Sequence, residues 1–186
     1  MELKTYKRPA EKKSQAKKER LEGRIPAVIY SQGKEAEAIS VDRPNFEQAI
    51  AQTKLGHLST VQFTLKGEDG KTRKAVVKDI QYHVTTYDVL HVDLQEVQED
   101  VEINVNVPVE CRGVADCVGI KHGGVLRQVI RKVRVRCLPK NIPEQFVLNV
   151  ADLEMKQTRR LRDIEIPEGV RPLANLNEVA VVIAKR

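Results

Sequence analysis

The chain has 186 residues, which suffices for two small domains that each bury a core. Hydrophobic residues make up 41% and charged residues 31%, a composition typical of a folded but polar protein. No apolar run approaches the roughly 18 residues of a membrane span, and the opening residues show no signal-peptide pattern. The sequence therefore predicts a soluble cytoplasmic protein without a membrane partner, whose three cysteines stay reduced.

Positive charge is concentrated at the amino terminus. Residues 1–24 hold nine Lys and Arg against four Glu, a net charge of +5, so the rest of the chain sums to only +1. Within this segment, residues 10–22 are good helix formers with almost no apolar side chains to bury. We expect a solvated helix, or a loop that becomes ordered on an anion, at one end of a phosphate-binding protein.

The first half of the sequence reads as a small β domain. Pro9 and the turn Gln32-Gly33-Lys34 interrupt the pattern, and the helix has Phe46 and Ile50 on its buried side. Strands are predicted at residues 2–7, 26–30, 36–41, 60–66, 72–78 and 87–94, with a helix at 44–52. Short strands around one or two helices favour a closed or partly closed antiparallel β-barrel.

The last of these strands has two different faces. Leu90, Val92 and Leu94 alternate with Val89, His91 and Asp93, and the period of two predicts the first set inside the barrel and the second outside. His91 and Asp93 would then stand about 7 Å apart along the strand. Such a pair of polar side chains can meet one nucleic-acid groove or one reacting centre.

The acidic residues 95–100 are predicted to link a first domain, 1–94, to a second domain, 101–186. The second domain begins with an alternating strand at 101–111, followed by a glycine-rich loop at 113–124. Further strands are predicted at residues 125–138, 146–150, 161–166 and 179–184, the last of them fully buried. We therefore expect an all-β second domain, a sandwich, and a mainly β protein overall.

The sequence gives little support for catalysis or for a cofactor. It contains no G-x-S-x-G, P-loop or dinucleotide glycine motif, so we expect neither an enzyme nor a small-molecule substrate. Cys111, Cys117, His122 and Cys137 could form a structural zinc site, but they lack the close pairs of zinc knuckles. Cys111 and Cys137 also fall on the apolar phase of their strands, as small core residues do. A zinc-stabilised interaction protein remains an alternative.

The stronger signal is for RNA. Lys and Arg fix a protein on phosphates, whereas mixed donors and acceptors read base edges. An aspartate repels phosphate and favours a base amino group, and RNA exposes such edges in its shallow minor groove. Tyr30, at the end of its strand, could stack or donate its hydroxyl, although a half-buried barrel tyrosine explains it equally well. For the arginines and lysines of residues 127–136 and 156–162, a solvated face is favoured over contact with a large neighbour.

Several segments spread over the chain form a specific set of motifs. They are residues 17–30 (KKERLEGRIPAVIY), 77–83 (VKDIQYH), 90–94 (LHVDL), 123–126 (GGVL), 138–143 (LPKNIP), 163–164 (DI) and 166–170 (IPEGV). Together they resemble a known family, the 5S-rRNA-binding protein of the bacterial large ribosomal subunit. The resemblance covers nearly the whole chain and is to the long two-domain form, the general stress protein CTC type. The family usually has a basic residue at the position of Tyr82 and proline at that of Val84.

The resemblance implies a β-barrel that binds loop E of 5S rRNA through its minor groove, in the central protuberance. It also implies an all-β second domain, for which neighbouring ribosomal proteins or 23S rRNA are the candidate partners. An RNA-binding regulator acting away from the ribosome is the nearer alternative. Carried over by position, the RNA-binding residues are Arg8, Lys13, Lys17, Lys18, Arg20, Tyr30, Lys78, Gln81, Tyr82, His91 and Asp93.

Overall fold

The structure is a computed structural model that describes residues 1–8, 13–31, 33, 35–54 and 56–185. Pro9, most of the turn at 32–34 and the side chain of Lys13 therefore lie outside the described residues. The chain forms two compact units, Met1–Val101 and Glu102–Arg186, each described here by itself. None of the helices in the described part is long and apolar enough to cross a membrane.

The first unit is a closed barrel of six strands, as predicted, but two of its six ladders are parallel, whereas the prediction was an antiparallel barrel. The strands follow the order β1-β3-β2-β6-β5-β4; the β1–β4 and β2–β6 ladders are parallel and the other four antiparallel. Its elements are β1 (Glu2–Lys7), α1 (Lys13–Leu21), β2 (Arg24–Tyr30), β3 (Glu37–Asp42), α2 (Arg43–Gln52), β4 (Gln62–Gly67), β5 (Thr72–Tyr82) and β6 (Val89–Glu96).

Alternating apolar side chains fill the barrel, and one helix contributes to the core. The core includes Leu3, Phe63 and Leu94, all fully buried. Helix α2 begins where Asp42 caps it, with the carboxylate accepting from the backbone N of Asn45 at 3.3 Å. Phe46 from this helix is also fully buried. The predicted helix and its buried phenylalanine are confirmed.

One feature of β6 differs from the prediction. Gln81 pairs with His91 but Tyr82 pairs with Val89, so Leu90 is the extra residue of a β-bulge. Val89 is consequently buried and Leu90 only half-buried, the reverse of the predicted phase at the start of this strand. From His91 onwards the predicted alternation holds, and Val92 and Leu94 are fully buried.

The second unit contains two sheets, ordered β10-β7-β9-β12 and β11-β13-β8. The predicted all-β character is confirmed, apart from a short helix, α3, inside the predicted glycine-rich loop. Strand β13 lies at the centre of its sheet, although only Ala180, Val181 and Ile183 of it are buried. The elements are β7 (Ile103–Arg112), α3 (Val118–Lys121), β8 (Gly124–Gln128), β9 (Lys132–Cys137), β10 (Phe146–Asn149), β11 (Thr158–Arg160), β12 (Val170–Pro172) and β13 (Val179–Lys185).

The prediction of one strand over residues 125–138 is wrong. Strands β8 and β9 belong to different sheets, and residues 129–131 cross between them. The side-chain amide of Gln128 stabilises the crossing by donating to the carbonyls of Val109 at 2.7 Å and Ile130 at 3.2 Å. A side chain thus supplies hydrogen bonds that a continuous ladder would otherwise make.

Two smaller predictions for this unit also fail. The predicted strand at 161–166 is instead a 3₁₀ turn at Leu161–Asp163, because the Asp163 carboxylate accepts from the backbone N of Arg160 at 2.9 Å. Cys111 is half-buried rather than part of the core, whereas Cys117 is fully buried.

Gly124 begins β8 at a point where the backbone packs closely against Gly119. A Cβ atom at Gly124 would lie 2.6 Å from the carbonyl oxygen of Gly119, so the close approach requires glycine.

Candidate nucleic-acid interface

Three neighbouring barrel strands, β2, β6 and β5, bring four of the predicted residues onto one outer surface. Gln81 lies directly opposite His91, and Val28 lies opposite Asp93. Tyr30 lies two residues beyond Val28, which places it diagonally from Asp93 on the same surface. We call the surface formed by Tyr30, Asp79, Gln81, His91, Asp93 and Gln95 the barrel face.

His91 and Asp93 are close but imperfectly matched. Nδ1 of His91 lies 2.9 Å from Oδ1 of Asp93, with side chains that are 22% and 40% exposed. Within the described part of the chain, however, this nitrogen has no hydrogen-bond partner of acceptable geometry. The short distance is therefore a contact rather than a good hydrogen bond, and the partly exposed Asp93 carboxylate can accept a donor from outside the protein.

Asp79 is a member of the barrel face that the sequence reasoning missed. It lies directly opposite Asp93, and like charges in that position destabilise a sheet. Burial raises the pKa of the Tyr30 phenol, and the Asp93 and Asp79 carboxylates raise it further. Tyr30 thus keeps its hydroxyl proton and can donate a hydrogen bond beside two carboxylates that can only accept one.

Gln95 was also missed, because the sequence reasoning ended the strand at Leu94. It lies opposite Tyr30, and its Oε1 is buried without a hydrogen-bond partner among the described residues. The signal was present in the sequence, since His91, Asp93 and Gln95 follow one period of two. The register of Asp79 had no such signal, because it depends on a bulge at Lys78 in β5.

Lys78 and Tyr82 lie at the margins of the barrel face. Lys78 is the extra residue of its bulge and is half-buried. Tyr82 ends β5 with 46% of its surface exposed, and burial of the remainder raises the pKa of its phenol. Tyr82 therefore exposes part of an uncharged ring at the position where the family usually has a basic residue. A phosphate contact at this position would need that positive charge.

Helix α1 carries cations beside the start of β6. The Arg20 guanidinium donates from Nε and Nη2 to the carbonyl oxygen of Leu90, at 3.2 and 3.0 Å. Lys17 and Lys18 are exposed, and Lys18 lies 3.7 Å from Glu22. No described side chain of α1 is buried, which confirms the predicted helix without an apolar face. Polar contacts therefore hold the helix on the barrel.

Arg24 strengthens this attachment. Its guanidinium lies 4.1 Å from the centre of the Tyr6 ring and within 4 Å of Glu19 and Glu22. Arg8 is further from the barrel face: its Nε donates to the carbonyl of Ile39 at 3.0 Å, beyond β3. The predicted residues thus form one central group with flanking cations, not a single cluster.

The second unit carries a surface of the opposite character. Residues 102–186 hold fifteen Lys and Arg against ten Asp and Glu, a net +5. Lys132, Arg134 and Arg136 project from β9, and Arg171 of β12 lies directly opposite Arg136. We call these four side chains the β9 face. Among the described residues, none of the four lies within 4 Å of a carboxylate.

The four candidate zinc ligands do not assemble into a site. The described residues contain no group of three His, Cys, Asp or Glu side chains that could hold a metal ion. Cys117 instead donates from Sγ to the carbonyl of Leu153 at 3.3 Å, inside the second unit. Burial raises the pKa of the Cys111 and Cys137 thiols, the opposite of what thiolate ligands need.

Comparison with known proteins places the two units in one family. The model of the ribosomal L25p family matches residues 3–94, and that of the ribosomal protein TL5 C-terminal domain matches residues 102–186. The chain is 49% identical to the large ribosomal subunit protein bL25 of Chlamydia muridarum, over all 186 residues of both chains. The bL25 proteins of Chlamydia trachomatis serovar L2 and Chlamydia pneumoniae are 50% and 46% identical over the same length.

The chain belongs to the ribosomal L25p family. This membership confirms the resemblance drawn from the sequence motifs and the mainly β architecture in two parts. For an L25p protein, the arrangement described above offers two chemically different surfaces. The barrel face combines hydrogen-bond acceptors with one phenol, and the β9 face consists of cations.

Proposed function

We propose that the chain is a structural component of the bacterial large ribosomal subunit that binds 5S rRNA through its first unit. Its relatives are named as proteins of that subunit, which makes it a ribosomal protein of the cytoplasm and not an enzyme. The proposed target is the minor groove of loop E, in the central protuberance. Barrel-face residues contact base edges and the cations of α1 contact phosphates.

The observation that carries this proposal is the excess of acceptors on the barrel face. Two carboxylates, Asp79 and Asp93, lie directly opposite each other on the outer surface, and the Asp93 side chain is 40% exposed. Such a surface repels phosphate oxygens, and it needs donors from its partner. The guanine amino group is the donor that a minor groove presents, so the barrel face is complementary to base edges in a wide, shallow groove.

The flanking cations suit the neighbouring phosphates. Lys17, Lys18 and Arg20 stand on a helix held against β6, at the end of the strand that carries His91. Phosphate contacts from such a helix fix the register of the RNA, while the barrel face supplies selectivity. Arg20 also fixes the position of the helix, because its guanidinium donates two hydrogen bonds to the carbonyl oxygen of Leu90.

For the second unit we propose contact with the phosphates of a ribosomal RNA, with 23S rRNA as the candidate. The β9 face has cations without carboxylate partners, and Arg136 and Arg171 oppose each other across two strands. The sequence pattern by itself favours a solvated face. Arg136 donates from Nε to the Asn104 side chain at 3.2 Å, which leaves the charge of the arginine pair in place. Two opposed cations without a carboxylate partner instead favour an anionic neighbour that relieves the repulsion.

A titration of the full chain tests the proposal. Binding is measured against 5S rRNA and against the same RNA with loop E converted to regular base pairs, at two salt concentrations. We expect selective binding to the intact loop at both concentrations, because base contacts survive salt better than phosphate contacts. Equal and steeply salt-dependent binding to both RNAs would contradict it, since the protein would then act only as a polycation.

A further inference from the structure

The loop between β5 and β6, residues 83–88, exposes apolar side chains. Val84 is 87% exposed and Tyr87 is 77% exposed, and Tyr82 at the base of the loop is 46% exposed. Scattered apolar residues are normal on a protein surface, but these three come from one short hairpin. Neither the barrel core nor the barrel face accounts for the ring of Tyr87.

The loop holds these side chains in one arrangement. The backbone N of Tyr87 donates to the carbonyl of His83 at 3.0 Å, and the backbone N of His83 donates to the carbonyl of Asp88 at 2.8 Å. Nδ1 of His83 accepts from the backbone N of Thr86 at 3.3 Å and lies 3.1 Å from Oγ1 of Thr85. Five residues of the loop therefore share one hydrogen-bond network.

Tyr87 itself has a left-handed backbone, with φ of +59°. A bulky residue rarely adopts this conformation, and it persists only where surrounding interactions fix it. Backbone strain at an exposed aromatic residue contributes nothing to the core. Strained backbone conformations cluster at functional sites, including those that hold a ligand. The left-handed backbone of Tyr87 and the exposure of its ring therefore both favour a role in contacting a partner.

The charges around the loop identify the partner. The Asp88 carboxylate pairs with Arg43, whose Nη2 lies 2.9 Å away, and it also accepts from the Thr86 hydroxyl at 2.8 Å. The same guanidinium lies 3.0 Å from Glu47 through its Nε. On the adjoining strand, Arg20 of α1 is bound to Leu90. Exposed aromatic rings beside a cationic helix, with the carboxylate of the loop held in an ion pair, are a combination by which proteins bind unpaired nucleotides.

We propose that the loop at residues 83–88 is a stacking platform for an unpaired nucleotide that adjoins the bound RNA helix, with Tyr87 as the ring on which the base stacks. The proposal rests on the proposed function, because it requires RNA on the neighbouring helix and barrel face. Val84 provides an additional apolar contact at the tip. A rigid ring loses little conformational freedom on binding and accepts any base, so the platform adds affinity without selecting a sequence.

Two substitutions of Tyr87 test the platform. Tyr87→Asn removes the ring but keeps a residue that tolerates a left-handed backbone, and Tyr87→Phe keeps the ring and removes only the hydroxyl. Full-length proteins are titrated with a loop E hairpin that has blunt ends. They are also titrated with the same hairpin extended by a short 5′ or 3′ overhang containing 2-aminopurine, whose fluorescence falls on stacking.

We expect wild type and Tyr87→Phe to bind one of the extended hairpins about 5- to 100-fold more tightly than the blunt one and to change its fluorescence. Tyr87→Asn should bind all the hairpins with the blunt-end affinity. Equal affinities and fluorescence for wild type and Tyr87→Asn would overturn the platform and leave a protein neighbour as its occupant. Failure of wild type to bind the blunt hairpin would instead overturn the proposed function, and the platform with it.

Discussion

The two units place like charges directly opposite each other on neighbouring strands, but with opposite signs. In the barrel the pair is Asp79 and Asp93; in the second unit it is Arg136 and Arg171. Either pair costs stability in the isolated protein. The difference matches the two roles proposed above, because a carboxylate pair suits base amino groups whereas a guanidinium pair suits phosphates.

The largest expected effect comes from Asp93. Asp93→Asn should weaken binding to intact 5S rRNA by about 1 to 3 kcal/mol and leave binding to a loop-disrupted RNA almost unchanged, because a charged carboxylate that accepts through both oxygens becomes a neutral amide with one acceptor and one donor. Fluorescence titration against both RNAs measures the difference. The matched control is Asp79→Asn, which removes the same charge from the opposite, more exposed position and should cost less. Equal losses on both RNAs would remove the base-reading role from the barrel face.

A smaller effect is expected from the β9 face. The double substitution Arg136→Gln and Arg171→Gln should reduce the slope of log affinity against log salt by about 1.8, if each arginine contacts one phosphate. The effect should appear with a ribosomal RNA fragment that the second unit binds, with 23S rRNA fragments as the first candidates. Arg159→Gln is a suitable control, because Arg159 already pairs with Asp152. An unchanged slope in the double variant would restore the solvated-face interpretation.

The smallest effect concerns stability without RNA. Asp79→Asn and Arg171→Gln should each raise the free energy of unfolding by a few tenths of a kcal/mol, because each removes a like-charge repulsion. Urea unfolding at low salt measures the change, and added salt should diminish it by screening the charges. A loss of stability from either substitution would show that the charge has a favourable partner, and the comparison between the units would then need another basis.

Much of the barrel could be predicted from the sequence, because its strands are short, alternate cleanly and end at turn residues. His91 and Asp93 were placed correctly by the period of two alone. Asp79 was not, since its position opposite Asp93 depends on a bulge that shifts the register by one residue. Bulges arise from the pairing of two strands, and neither strand carries the information by itself.

The second unit shows a different limit. Residues 125–138 were predicted as one strand because no glycine or proline interrupts them. The break at 129–131 is instead stabilised by the side chain of Gln128, which bonds to a distant strand. In the turn at Leu161–Asp163, likewise, a local side-chain hydrogen bond overrides an apolar pattern that favours a strand. Such contacts become visible only once the fold is known.

The parallel ladder between β2 and β6 also has a consequence for biosynthesis. Ala27 pairs with Val92, so 65 further residues must be synthesised after Ala27 before β2 can pair with β6, although its other neighbour, β3, follows soon after β2. At about 5 to 20 residues per second, translation imposes a delay of roughly 3 to 13 seconds. During that interval the nascent chain already displays the lysines and arginines of α1, whereas Tyr30 and Asp93 have not yet met. The newly made protein therefore acquires its general attraction to RNA several seconds before it acquires the residues proposed to choose among RNAs.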